Sequence, residues 1–150
     1  MKNNPSIKAV LLDTSFLLPT LGIEIGKPTL DIMARLQRSG SELCYSDLSL
    51  LECLWVATQR IRHSDFDESI FRKGILSITK SGRYRQVQCS GEAYTNALKL
   101  YQLGHKDMID NMLYATALNG ELQLLTLDDE LKTFIEDNNL QDVFFPTRLP

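Results

Sequence analysis

Short apolar runs alternate with segments of helical period along most of the chain. Residues 7–12 (IKAVLL) form a compact apolar run, as a parallel strand covered on both faces requires. Pro28 and Thr29 open a helix with Leu30, Met33, Ala34 and Leu36 at helical spacing, and Gly40 stops it. Residues 42–45 predict a second strand. Ser46 suits the N-cap of the helix after it, which carries Leu50, Leu51, Leu54 and Trp55. Ser64 is expected to cap a further helix through Phe66, Ile70 and Phe71 that fades near Thr79. After the polar break at residues 80–83, residues 84–88 alternate weakly and predict a strand. Ser90 caps a helix with Ala93, Ala97, Leu98 and Tyr101 on one side, ended by Gly104. Another helix spans about 107–118, closed by Asn119-Gly120. Residues 122–126 (LQLLT) predict a strand, Asp128 stands where it can cap a helix over 129–136, and residues 143–145 predict a last short strand limited by Pro146.

Strands joined by helices imply parallel crossovers, hence an α/β fold whose sheet is covered on both faces. Ligands in such sheets gather at the carboxyl ends of strands where the strand order reverses. The 150 residues suit one domain, 1–150, and 43% hydrophobic with 23% charged content is ordinary for a globular chain. No segment resembles a signal peptide, and no apolar stretch is long enough to span a membrane. Cys44, Cys53 and Cys89 are odd in number and widely spaced, which argues against a zinc site or a disulfide framework and for a reducing cytoplasm. Cys53 and Trp55, on an apolar helix, are expected in the core.

The formal net charge of −3 is unpromising for a nucleic-acid binder as an average. Between residues 60 and 85, however, seven basic residues, among them Arg60, Arg62, Arg83 and Arg85, stand against three acids. Such a stretch is either a solvated helix face or a track for a polyanion, and the sequence leaves both open.

Four acids stand out by context. Asp13 follows the first strand directly, and Asp128 lies two residues beyond the strand ending at Thr126. If both strands are central, both acids meet at one edge of the sheet. Glu52, within SLLECLWVA, and Asp110, within DMIDNMLYATA, have apolar neighbours. Ionised carboxylates near a core are costly unless paired or bound to a cation. Converging carboxylates also repel one another, and Mg²⁺ or Mn²⁺, which favour carboxylate oxygens, would relieve both problems. Each acid has a local alternative: Asp13 as a turn residue, Glu52 paired with Arg60 or Lys99, Asp110 as an exposed helix residue, Asp128 as an N-cap.

In order, LLDTSFLLP, SLLEC, DNMLYATAL and LLTLDDEL closely resemble the successive motifs of PIN domains, over residues 7 to about 135. The resemblance implies a three-layer Rossmann-like domain with a central parallel sheet of four or five strands and helices on both faces. It implies Mg²⁺- or Mn²⁺-dependent endoribonuclease chemistry on single-stranded or structured RNA, with Asp13, Glu52, Asp110 and Asp128 as catalytic and metal-holding groups. It also implies a homodimer. Stand-alone members of this length resemble the toxin of VapBC pairs, partnered by a small antitoxin, while others process ribosomal RNA. This chain departs from the common toxin pattern at Asp107, one helical turn before Asp110, which can be a further metal ligand, the third acid itself, or a partner for His105. Asn111 stands where toxins often have a small residue. His105, after Gly104, is expected to cap the end of the preceding helix. Thr14 is expected to make local backbone bonds, while the roles of Ser15 and Thr126 stay open. The expected dimer surface is Phe66, Ile70 and Phe71. A phosphatase or phospho-receiver is disfavoured because Ser15 and Lys132 stand where those chemistries need other placements. A non-catalytic PIN-like scaffold for RNA or protein remains the rival, and metal binding discriminates it.

Overall fold

The computed structural model describes residues 8–148, so Ile7 of the expected first strand lies outside the described residues. Strand β1 is Ala9–Leu12, β2 Glu42–Tyr45, β3 Tyr84–Gln86 and β4 Gln123–Leu125. Helices are α1 Lys27–Arg38, α2 Asp47–Arg62, α3 Glu68–Lys80, α4 Gly91–Leu103, α5 Met108–Asn119 and α6 Asp129–Asp137. Two 3-10 turns, Thr14–Phe16 and Leu18–Leu21, fill the segment between β1 and α1, for which the sequence pattern predicts no regular element. The four strands are parallel in the order β3-β2-β1-β4. The chain therefore steps outward from β1 through β2 to β3 and returns to the far side of β1. The reversal falls between β1 and β4, the pair whose ends carry Asp13 and Asp128.

Alternation along the strands sorts the core into two halves. Val10 and Leu12 of β1, Leu43 and Tyr45 of β2 and Leu125 of β4 point to one face, packed under Ile32, Met33 and Leu36 of α1, Cys53 and Ala57 of α2 and Ile78 of α3. Leu11, Cys44 and Leu124 point to the other, under Leu100 of α4, Leu113 and Tyr114 of α5 and Leu131 and Ile135 of α6. This is the expected three-layer α/β arrangement. Ala93 and Ala97 of α4 meet Met112 and Ala115 of α5 in a smaller cluster, where small side chains let the two helices approach closely. Gly74 does the same for α3: an added Cβ would lie 2.3 Å from the carbonyl oxygen of Thr20.

Four local expectations are corrected. Ser64 caps no helix: it sits at φ +55° just after α2, and Asp67 caps α3, its carboxylate accepting from the Ile70 N–H at 3.1 Å. The Arg60–Asp65 ion pair and the Asp65 N–H bond to the Arg60 carbonyl hold the intervening turn, so the new helix starts only at Glu68. The last strand shrinks to one parallel bridge, Leu124 with Phe144, because the chain runs into Pro146 directly afterwards. Trp55 is 54% exposed rather than core, on a side of α2 shared with exposed Leu51 and Leu54. Phe66 and Phe71 do not form an exposed patch: they stack at 5.4 Å and pack on the core, and Ile70, though half exposed, lies where a Cβ on Gly22 would touch it. The cysteines are free thiols, and Cys53 is fully buried.

Candidate functional site

Four N-termini point at the carboxyl edge of the sheet, and their caps create much of the site. The Asp13 carboxylate accepts from the Thr14 N–H at 2.6 Å and caps the first 3-10 turn. Ser46 caps α2. Asp107 caps α5, accepting from Ile109 and Asp110 N–H groups at 3.1 Å each. Asp128 caps α6 through the Leu131 N–H at 3.1 Å. Asp13, Asp107 and Asp128 therefore cap helical turns and stand in the acid cluster at the same time. Glu52 stands one and a half turns into α2, and Asp110 is in the first turn of α5.

Two buried threonines join the acids. The Thr126 hydroxyl accepts from the Asp128 N–H at 3.0 Å and donates to Asp13 Oδ2 at 2.8 Å. The Thr14 hydroxyl donates to Glu52 Oε1 at 2.7 Å. A continuous path thus runs Asp128, Thr126, Asp13, Thr14, Glu52. Thr14 makes a long-range bond rather than the local one expected of it, because the 3-10 turn after β1 aims its hydroxyl at α2. Glu52 has this hydroxyl, and neither Arg60 nor Lys99, as its partner. Asp110 lies beside Asp128, whose carboxylate favours its protonated form.

The electrostatics record crowding. Burial raises Asp13 above the usual aspartate range, against the opposing bonds from Thr126 and Thr14 and with help from the charges of Asp128 and Asp107. Burial raises Glu52 likewise, partly offset by Thr14 and reinforced by Asp13 and Asp107. Asp110 is pushed up to about 9, by burial first, then by its bond to Asp128 and the charges of Asp107, Asp13 and Asp128. Asp128 moves down: burial opposes its ionisation, but the Asp110 proton and the N–H groups of Leu131 and Glu130 outweigh it. Asp110 and Asp128 accordingly titrate as a pair, with Asp110 the more readily protonated of the two. Among the described residues, the ion pairs are Lys27–Asp31, Arg60–Asp65, Arg72–Glu68 and Arg85–Glu42, so none neutralises any of the five acids.

The donor set fits a hard divalent cation, since it offers only oxygens and an uncompensated negative field. Among the described residues, no three Asp, Glu, His or Cys side chains stand close enough together to hold a metal ion as they are placed. Mg²⁺ commonly keeps several waters, and a partial set of carboxylates meets that demand. The larger clefts, such as one of about 830 Å³ beside α6 lined by Lys132, Leu140 and Phe145, contain none of the five acids.

The basic stretch lies elsewhere. Arg83 precedes β3 and so sits at the amino edge, opposite the acids, over the Tyr84 ring. Arg85 is tied to Glu42 at 2.6 Å. Arg60 and Arg62 close the far end of α2, about 12–15 Å along the axis from Glu52. His105 is buried, with its backbone N–H on the Leu100 carbonyl as a helix-end cap, but its ring bonds to Asn111 rather than to Asp107.

A family model for the PIN domain matches residues 10–135. The chain belongs to the PIN-domain family. No curated protein matches the chain significantly. Solved structures agree on the fold. A toxin–antitoxin complex from Klebsiella pneumoniae has 13% identity and a TM-score of 0.59, with 94% of this chain and 99% of that chain covered. VapC20 of Mycobacterium tuberculosis, a sarcin–ricin loop cleaving toxin, has 18% identity and a TM-score of 0.57, covering 83% and 93%. VapBC2 of Rickettsia felis, solved with a fragment of promoter DNA, has 15% identity and a TM-score of 0.57, covering 84% and 92%. In this PIN domain the motif acids fall at the switch point between β1 and β4. The two hydroxyls that tie them together adjoin the motif acids in sequence, which is the signal that could have found them. No helix among the described residues is long and apolar enough to cross a membrane.

Proposed function

We propose that this PIN domain is a Mg²⁺- or Mn²⁺-dependent endoribonuclease, acting as the toxin of a toxin–antitoxin pair. The observation that carries the reading is the cluster Asp13, Glu52, Asp107, Asp110 and Asp128, which has no ion-pair partner among the described residues and in which three carboxyls are raised above their ordinary range. A scaffold has no physical reason to keep so costly an arrangement. Asp13 and Glu52, oriented by Thr126 and Thr14, would hold the ion, with Asp110, Asp128 and Asp107 direct or through water. When bound, the ion supplies Lewis-acid chemistry: it offsets charge growing on a phosphate and acidifies water. A cation held there would favour the ionised form of Asp110, which burial and the neighbouring carboxylates now disfavour. Hydrolysis by water leaves a 5′-phosphate and a 3′-hydroxyl.

The toxin assignment draws on toxin–antitoxin proteins of the same fold, with a small antitoxin as the partner. A homodimer belongs to the same reading. Tyr94, Leu98 and Tyr101 on α4 and Leu51, Leu54 and Trp55 on α2 are exposed apolar surface that a second copy can cover. Light scattering that returns a monomer mass at micromolar concentration removes that part.

The test is cleavage of single-stranded RNA by purified protein in Mn²⁺ or Mg²⁺. Cleavage should stop in EDTA and in Asp13→Asn, while RNA binding persists because a repelling charge has gone. Equal activity of wild type and Asp13→Asn assigns the cleavage to a contaminant. Failure to bind Mn²⁺ replaces the nuclease with the scaffold.

A further inference from the structure

The turn between α4 and α5 is four residues long, Gly104-His105-Lys106-Asp107, and delivers two acids of the cluster at once: Asp107 as the cap of α5 and Asp110 in its first turn. A buried polar pair closes this turn. His105 is 5% exposed and Asn111 is fully buried. Asn111 Nδ2 donates to the His105 carbonyl at 2.8 Å, and Asn111 Oδ1 stands 2.7 Å from His105 Nδ1. Only the amide nitrogen can donate to a carbonyl, so the amide oxygen must face the ring, and Nδ1 carries the hydrogen. Both side chains are therefore fixed in orientation by reciprocal bonds. The ring also packs against Phe134 of α6 at 5.1 Å between centroids, and α6 is the helix that Asp128 caps. One pair thus ties the end of α4, the first turn of α5 and α6 together, with Asn111 next in sequence to Asp110.

An apolar pair of the same size would fill this volume as well, but would let α5 turn and slide by small amounts. Directional bonds remove that freedom. We infer that His105 and Asn111 are positioning residues, which hold Asp107 and Asp110 in register opposite Asp128 so that the acid cluster binds a divalent cation. The inference rests on the proposed metal site. Supporting groups of this kind commonly change metal affinity by about 10–100-fold when lost.

The test uses full-length protein, stripped with EDTA and titrated with Mn²⁺ by calorimetry below its melting temperature. Wild type must bind Mn²⁺; if it does not, the metal reading itself fails and this inference with it. His105→Phe keeps the ring against Phe134 and loses the Nδ1–H donor, while His105→Asn keeps a donor at the same position and loses the ring. His105→Phe should weaken Mn²⁺ binding about tenfold, and His105→Asn should retain most of the affinity. In His105→Phe/Asn111→Leu both partners become apolar, so stability should return towards that of wild type while the weakened Mn²⁺ binding persists. A structural role alone gives the reverse: folded variants bind Mn²⁺ as wild type does, whatever their melting temperatures. If the double variant does not fold, the two His105 variants decide, and equal Mn²⁺ affinity in both overturns the inference.

Discussion

Replacing Asp110 by Asn should stabilise the metal-free protein, although it alters a motif residue. Asp110 ordinarily titrates at 3.8 and in the fold is pushed up to about 9. Between those values the folded chain holds a proton that the unfolded chain has released, so stability is fully present below pH 4 and falls as pH rises towards 9. One retained proton gives a slope of at most about −1.4 kcal/mol per pH unit. At pH 7 the burden on wild type is at most about 4 kcal/mol by the same relation. Asp110 titrates as a pair with Asp128, whose own stability contribution is lost as pH falls through its lowered pKa, and water screens the partly buried pair. A net gain of about 1–2 kcal/mol for Asp110→Asn at pH 7 is therefore expected. The amide can still donate to Asp128, so the contact is kept. That gain corresponds to about 2–8 °C in Tm for a chain of this size. Urea unfolding in EDTA at pH 5, 6, 7 and 8 measures it: the two proteins should converge at the acid end and diverge towards pH 8. Saturating Mn²⁺ should reverse their order, because only wild type offers the full carboxylate set. A wild-type stability that is flat from pH 5 to 8 in EDTA, or a destabilised Asp110→Asn, would falsify this account of the cluster.

Thr126→Val keeps the shape but removes the hydroxyl between Asp128 and Asp13; it should cost about 1–3 kcal/mol in metal-free protein and weaken Mn²⁺ binding. Unchanged urea midpoints and Mn²⁺ affinity would remove Thr126 from the site. Gly74→Ala puts a methyl group against the Thr20 carbonyl and should lose about 1–3 kcal/mol with an unchanged m-value. Full stability in that variant would mean that α3 packs less closely than described. Arg83→Ala should leave the salt dependence of RNA binding as it was, since Arg83 stands at the edge opposite the acids. A shallower salt slope would place RNA across that edge instead.

What could be read along the chain was whatever its own neighbours decide. Ser46, Ser90 and Asp128 are caps in the structure as in the sequence, because a cap bonds N–H groups two or three residues away. Strands β1, β2 and β4 were legible because both sides of each are buried, which writes a solid apolar run. Ser64 misled for a complementary reason: Asp67 offers the same local chemistry, and the choice fell to the Arg60–Asp65 pair and the length of α2. The family motifs named Asp13, Glu52, Asp110 and Asp128, but not what holds them. Thr14 reaches Glu52 across 38 positions, and Thr126 reaches Asp13 across 113. The strand order β3-β2-β1-β4 alone sets those distances. The exposure of Trp55 and the burial of His105 and Asn111 belong with them. Hydrophobic period says that a helix has an apolar side, while the neighbours that cover it come from elsewhere in the chain. Local hydrogen bonding and period therefore wrote the elements into the sequence, and the convergence of five carboxyl groups became visible only once the sheet had brought their ends together.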